Sequence, residues 1–134
     1  MHVQRRTPLT ARIGILAVGH RTYWTQFDGL RDELMRKYDT LVQRVRTMRA
    51  EVVTFGMVDN AESAYAAVRD IKAADPDLLL IDMVTYATSS TFGVIAREID
   101  APIVLVALQP MNAMDYARGS TYMQLCNDDF CSVP

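Results

Sequence analysis

The sequence predicts an α/β domain with three layers, a parallel sheet between two layers of helices. Two observations carry this reading. Short, near-continuously apolar runs alternate along the chain with segments of helical periodicity. The runs are apolar on both sides of the strand, as strands covered by helices on both faces must be. At 134 residues the chain is the size of one such domain.

The elements follow in order. Residues 1–10 form a polar, basic tail with no apolar run behind it, so the domain is taken as residues 11–134. Arg12 to Val18 is the first strand, ending at Gly19. Phe27, Leu30, Leu34, Tyr38, Leu41, Val45 and Met48 then recur at three- and four-residue spacing, which predicts one long helix opened by Thr25 and Asp28. Glu51 to Gly56 is a second strand closed by its glycine. Asp59 and Glu62 open a second helix, with Ala61, Ala64, Tyr65, Val68 and Ile71 on its buried side and Asp75-Pro76 as its stop. Asp77 to Asp82 is the third strand. The polar segment from Thr85 to Ser90 leads to a third helix of about ten residues, carrying Phe92, Val94, Ile95 and Ile99. Ile103 to Leu108 is the fourth strand, after the turn Asp100-Ala101-Pro102. Right-handed crossovers give a flavodoxin-like or Rossmann-like sheet in the order 2-1-3-4. Beyond Gln109 the pattern breaks down, with one short helical stretch at Ser120 to Leu125. The sheet is therefore expected to be truncated before its last strand.

Composition excludes several classes. A net charge of −2 leaves no electrostatic footprint for nucleic acid. The longest apolar runs are far too short to span a bilayer, which excludes a membrane protein. Cys126 and Cys131 have no Cys or His beside them to complete a metal set, and they are read as ordinary thiols.

In an open parallel sheet, ligands bind beyond the carboxyl ends of the strands, where the strand order switches. Here that is between strands 1 and 3. Three loops meet there: Gly19 to Trp24, Asp82 to Tyr86, and Gln109 to Asn112. They are rich in aromatic and hydrogen-bonding side chains, which suits a polar, uncharged ligand such as a sugar. Other chemistries fail on their residues. Gly19-His20-Arg21-Thr22 lacks the glycines of a dinucleotide loop. A phosphoacceptor role for Asp82 needs a carboxylate pair after strand 1, which is absent. His20 has no partner for a zinc site or a nucleophile–base pair, and Asp128-Asp129 reads as a solvated turn. No catalytic residue is assigned.

Together, Ile15 to Trp24, Ile81 to Tyr86 and Pro102 to Ala113 resemble the N-terminal domain of the L-arabinose isomerase and L-fucose isomerase superfamily, in order and spacing across nearly the whole chain. The resemblance implies a cytoplasmic, Mn²⁺-dependent aldose–ketose isomerase, an intramolecular oxidoreductase of carbohydrate metabolism. Its catalytic carboxylates and metal ligands lie in later domains, none of them in this chain. It implies a homo-oligomer, a hexamer or trimer of dimers, in which this domain contacts the C-terminal domains and neighbouring subunits and lines the pocket for the sugar substrate. The substrate-binding residues it implies are His20, Thr22, Tyr86 and Gln109. His20 and Thr22 stand where arabinose isomerases carry glutamine and leucine, Tyr86 where the family often has phenylalanine, and Gln109 matches. The alternatives are a non-catalytic α/β domain that binds a sugar or another metabolite, and an interaction domain. The Met- and Tyr-rich stretch Met111, Met114, Tyr116, Tyr122 and Met123 is read as an interface to missing domains.

Overall fold

The computed structural model describes residues 10–108, 117 and 120. Gln109, residues 121–125 of the short helical stretch, both cysteines, Asp128-Asp129, the Met- and Tyr-rich stretch and most of the N-terminal tail lie outside the described residues.

The order of elements is β1 (Ala11–Val18), α1 (Arg21–Gln26), α2 (Leu30–Arg46), β2 (Ala50–Val58), α3 (Ala61–Ala74), β3 (Leu78–Met83), α4 (Phe92–Glu98) and β4 (Ile103–Val106). The four strands form one sheet in the order β2-β1-β3-β4, and every pair is parallel. Alternation along the strands sends side chains to two separate cores. Ile15 and Ala17 pack with Tyr38, Val42 and Val45 of α2 on one face. Leu16, Val18, Leu79, Ile81 and Met83 pack on the other with α3 and α4, through Ala64, Val68, Ile71, Val94 and Ile95. This is the three-layer α/β sandwich and strand order that the sequence predicts.

Several boundaries differ, each for a physical reason. The long helix starts at Leu30 and not at Thr25 and Asp28, because Gly29 takes a left-handed conformation at φ 77° before it, and the separate α1 forms on residues read mostly as loop. The apolar stripe still buries Leu30, Leu34, Tyr38 and Val45, but Met48 lies past the helix end and is 61% exposed. Gly56 does not close β2. It sits inside the strand at φ 69°, where the pairing with β1 skips from Ile15↔Thr54 to Ala17↔Met57. A bulge at a glycine bends the strand without ending it. The Tyr38 hydroxyl donates to the Ile15 carbonyl at 2.9 Å, just where the ladder is interrupted. Burial pushes that phenol up to about 12, against the opposing pull of the Gly56 backbone.

The cap of α3 is Asn60 and not Asp59: its side chain accepts from the Ser63 N–H at 2.8 Å, and the Ser63 hydroxyl returns the contact to the Asn60 backbone N–H. Tyr65, expected on the buried side, is half exposed. The helix ends as expected, with Asp75 in a left-handed conformation before Pro76. The third strand is shifted one residue onward, to Leu78–Met83, because Asp77 is occupied in fastening the start of β1; its carboxylate accepts from the Arg12 N–H at 2.7 Å. The third predicted helix, α4, has seven residues. β4 stops at Val106, with Val104 and Leu105 exposed on its opposite faces. Among the described residues no helix is long and apolar enough to cross a membrane.

Candidate functional site

The reversal of strand order falls between β1 and β3, so the loops leaving these two strands diverge around a crevice. The Gly19 N–H donates to Val58 O at 3.0 Å and the Arg21 N–H to Asp59 O at 3.1 Å. His20 lies between these two anchors in an extended conformation, at the residue before α1. Its imidazole is half-buried and stands edge-on to Tyr23, with ring centroids 5.1 Å apart, and to Tyr86 across the crevice, at 6.2 Å. Both separations lie in the range where edge-to-face aromatic pairs attract. The ring nitrogens of His20 make no hydrogen bond within the described residues, so they are available to a ligand.

The floor beneath this cluster is apolar. Tyr23, Trp24, Phe27 and Val84 pack around the fully buried Leu30 and Leu34. Tyr86 is 42% exposed at the rim. The hydroxyl of buried Thr85 donates to the Tyr86 carbonyl at 2.9 Å, which fixes the turn that presents the phenol ring. Thr22 is on the first turn of α1 and exposed to solvent. The structure thus brings His20 and Tyr86 together, puts Thr22 on the outer surface of the same loop, and does not describe Gln109.

Three features of this region escaped the sequence reading. Tyr23 contributes a ring to the cluster. Trp24 is tied by its indole Nε1–H to Asp59 Oδ2 at 2.7 Å, whereas Asp59 read as a helix opener. Asp82 is 3% exposed, on the face of β3 that looks toward α2, and its carboxyl has no hydrogen-bond partner among the described residues. Its neighbours across the ladder are Ala17 and Val106. Burial raises its carboxyl from 3.8 to about 6. The alternation Ile81-Asp82-Met83 was the available signal, since an acid within an apolar strand flanked by strands on both sides has little access to water.

Among the described residues there is no group of three or more His, Cys, Asp or Glu that could hold a metal ion. These residues do not fit a Mn²⁺ site. A cleft of about 190 Å³ lies at the opposite end of the sheet, between the ends of α3 and α4. Its polar groups include the Lys72–Glu98 ion pair at 3.3 Å, whose charges are already matched. Among the described residues, the β1–β3 crevice offers a hydrogen-bonding imidazole and the aromatic faces of Tyr23 and Tyr86, with no nucleophile–base pair. It can hold a polar ligand with C–H faces. Searches of protein families, curated proteins and solved structures found no match to this chain.

Proposed function

We propose that this chain forms one wall of a sugar-binding pocket, as the N-terminal domain of a metal-dependent aldose–ketose isomerase of the L-arabinose/L-fucose type. The single observation that supports this reading most directly is His20 standing between Tyr23 and Tyr86 at the strand-order switch. A sugar presents hydroxyls in the plane of its carbon skeleton and C–H groups above and below it. The imidazole answers the first, the ring faces the second. The domain's share in the reaction is positioning. It grips hydroxyls away from the reacting carbons, so that proton transfer between C1 and C2 occurs on an oriented substrate. Gln109 belongs to the same grip in this reading. The metal and the acid–base carboxylates come from other parts of the enzyme, together with its cytoplasmic location and its homo-oligomeric assembly.

The test is a titration of the ¹³C,¹⁵N-labelled chain with L-arabinose, L-fucose and L-arabinitol, the last an open-chain mimic. Saturable shifts at the His20 imidazole and the Tyr86 ring are expected with at least one of them. A folded chain whose His20 and Tyr86 signals ignore all three sugars refutes the reading. Turnover of either aldose by the purified chain with Mn²⁺ would contradict the division of labour, since the chain alone is expected to be inactive.

A further inference from the structure

We propose that Asp59, on the loop after β2 and outside the crevice, is the positioning residue that sets the place of His20 through Trp24. The proposal builds on the sugar-pocket reading but names a different residue and a different loop. Three hydrogen bonds from the loop after β1 converge on two consecutive residues, Val58 and Asp59. The N–H groups of Gly19 and Arg21 donate to their carbonyls, and the indole of Trp24 donates to the Asp59 carboxylate. The first two are backbone contacts that do not depend on side-chain identity. The third depends on side-chain identity, and it acts at the far end of α1.

Asp59 is itself held. Its N–H donates to the Ser63 hydroxyl at 3.1 Å, and that hydroxyl lies 3.5 Å from its other carboxylate oxygen. The carboxylate is therefore an extension of the first turn of α3, a fourteen-residue helix docked on the sheet. Trp24 transmits this rigidity back to the crevice. Its ring lies against Gly19 so closely that a Cβ there would sit 2.9 Å from two of its carbons. The Tyr23 N–H donates to the His20 carbonyl at 3.0 Å, which closes the loop between the indole and the imidazole. Release of the indole frees α1, and with α1 go Tyr23 and His20, while Tyr86 stays with β3. The His20–Tyr86 spacing is the quantity Asp59 controls. The side chains of α1 also pack on Leu30 and Leu34, but the Trp24–Asp59 bond is the directional contact that ties this six-residue helix to the loop after β2.

Trp24 is the only tryptophan and His20 one of two histidines in the chain, so each end of the device can be read separately. The experiment compares Asp59→Ala, Asp59→Asn and Trp24→Phe with the wild type. The readouts are tryptophan emission and acrylamide quenching, the His20 imidazole shifts, and the dissociation constant for whichever of L-arabinose, L-fucose or L-arabinitol the wild type binds. Asp59→Ala is expected to shift Trp24 emission to the red, raise quenching, move the His20 shifts and weaken sugar binding about tenfold, the size of one hydrogen bond to a charged group. Asp59→Asn retains an acceptor and is expected to restore most of each. Trp24→Phe keeps a ring on Gly19, loses the donor, and is expected to move the His20 shifts as Asp59→Ala does. If Asp59→Ala does not fold, the comparison of Trp24→Phe with Asp59→Asn decides the question. Folded variants with wild-type His20 shifts overturn the proposal. If the wild type binds no sugar, the pocket reading fails, while emission and His20 shifts still decide whether Asp59 positions the loop.

Discussion

Asp82→Asn should change how the stability of this domain depends on pH, and the sign follows from burial. An aspartate in the unfolded chain gives up its proton near 3.8, whereas in the folded chain Asp82 retains it to about 6. Between these values the folded state binds more protons than the unfolded one, so stability falls as pH rises. The contribution is fully present below 3.8 and is lost as pH passes through about 6. By the free energy that corresponds to such a displacement, ionised Asp82 is about 3 kcal/mol less favourable than protonated Asp82 in the folded chain. Asparagine has nearly the same shape and no charge to bury, but its amide donors need partners and cost roughly 1–3 kcal/mol where they find none. That cost does not vary with pH. Urea unfolding of both proteins from pH 4 to pH 8, followed by Trp24 fluorescence and circular dichroism, isolates the Asp82 contribution in the difference between the two curves. The variant should gain about 2.5 kcal/mol relative to wild type across this range, since part of the loss has already occurred by pH 4, a relative shift of about 2 M in urea midpoint for a domain of this size. A difference that stays constant with pH would refute the reasoning, because it would mean that Asp82 ionises as freely folded as unfolded.

Other substitutions probe the scaffold of the crevice. Gly19→Ala puts a Cβ 2.9 Å from two Trp24 ring carbons and 3.3 Å from Met57 Sδ, and should destabilise by about 1–3 kcal/mol with a change in tryptophan emission; an unchanged melting curve would show that Trp24 yields freely. Tyr38→Phe removes the hydroxyl that reaches Ile15 at the bulge and should cost about 1 kcal/mol in chemical denaturation, with no change at His20. Asn60→Ala takes away the acceptor for the Ser63 N–H and should cost about 1 kcal/mol, measured in the same way.

The parts of the fold legible in the sequence are those set by side-chain polarity over several residues. Apolar runs gave the strands, the three- and four-residue spacing gave α2 and α3, and right-handed crossovers turned the alternation into the order β2-β1-β3-β4. That the loops carrying His20 and Tyr86 meet was legible too, because the topology alone decides which loops diverge at a switch. The parts that were not legible turn on single residues whose local preference fits two outcomes. Gly29 delays the start of a helix whose apolar stripe begins before it, and Gly56 bends a strand that it was expected to end. Asp59 and Asn60 are both good helix caps. Asn60 takes the role because Asp59 is held by an indole thirty-five residues earlier, a contact no local pattern records.

The same distinction explains why the polar residues near the strand ends do not all speak for function. A side chain whose hydrogen-bonding capacity is consumed inside the chain has none to offer a ligand. By that test Asp59, Asn60, Ser63, Thr85 and Tyr38 are scaffold, although each sits close to the crevice or beneath it. His20 is different, with both ring nitrogens unbonded within the described residues and its ring held only by aromatic edges. Asp82 also lacks a hydrogen-bond partner among the described residues, yet it lies almost wholly out of water on the face toward α2. Its unmet capacity is a cost to stability, whereas that of His20 is an opening to solvent and to whatever the crevice binds. Two unpartnered polar side chains near the carboxyl end of one sheet thus have opposite meanings, and exposure is what separates them.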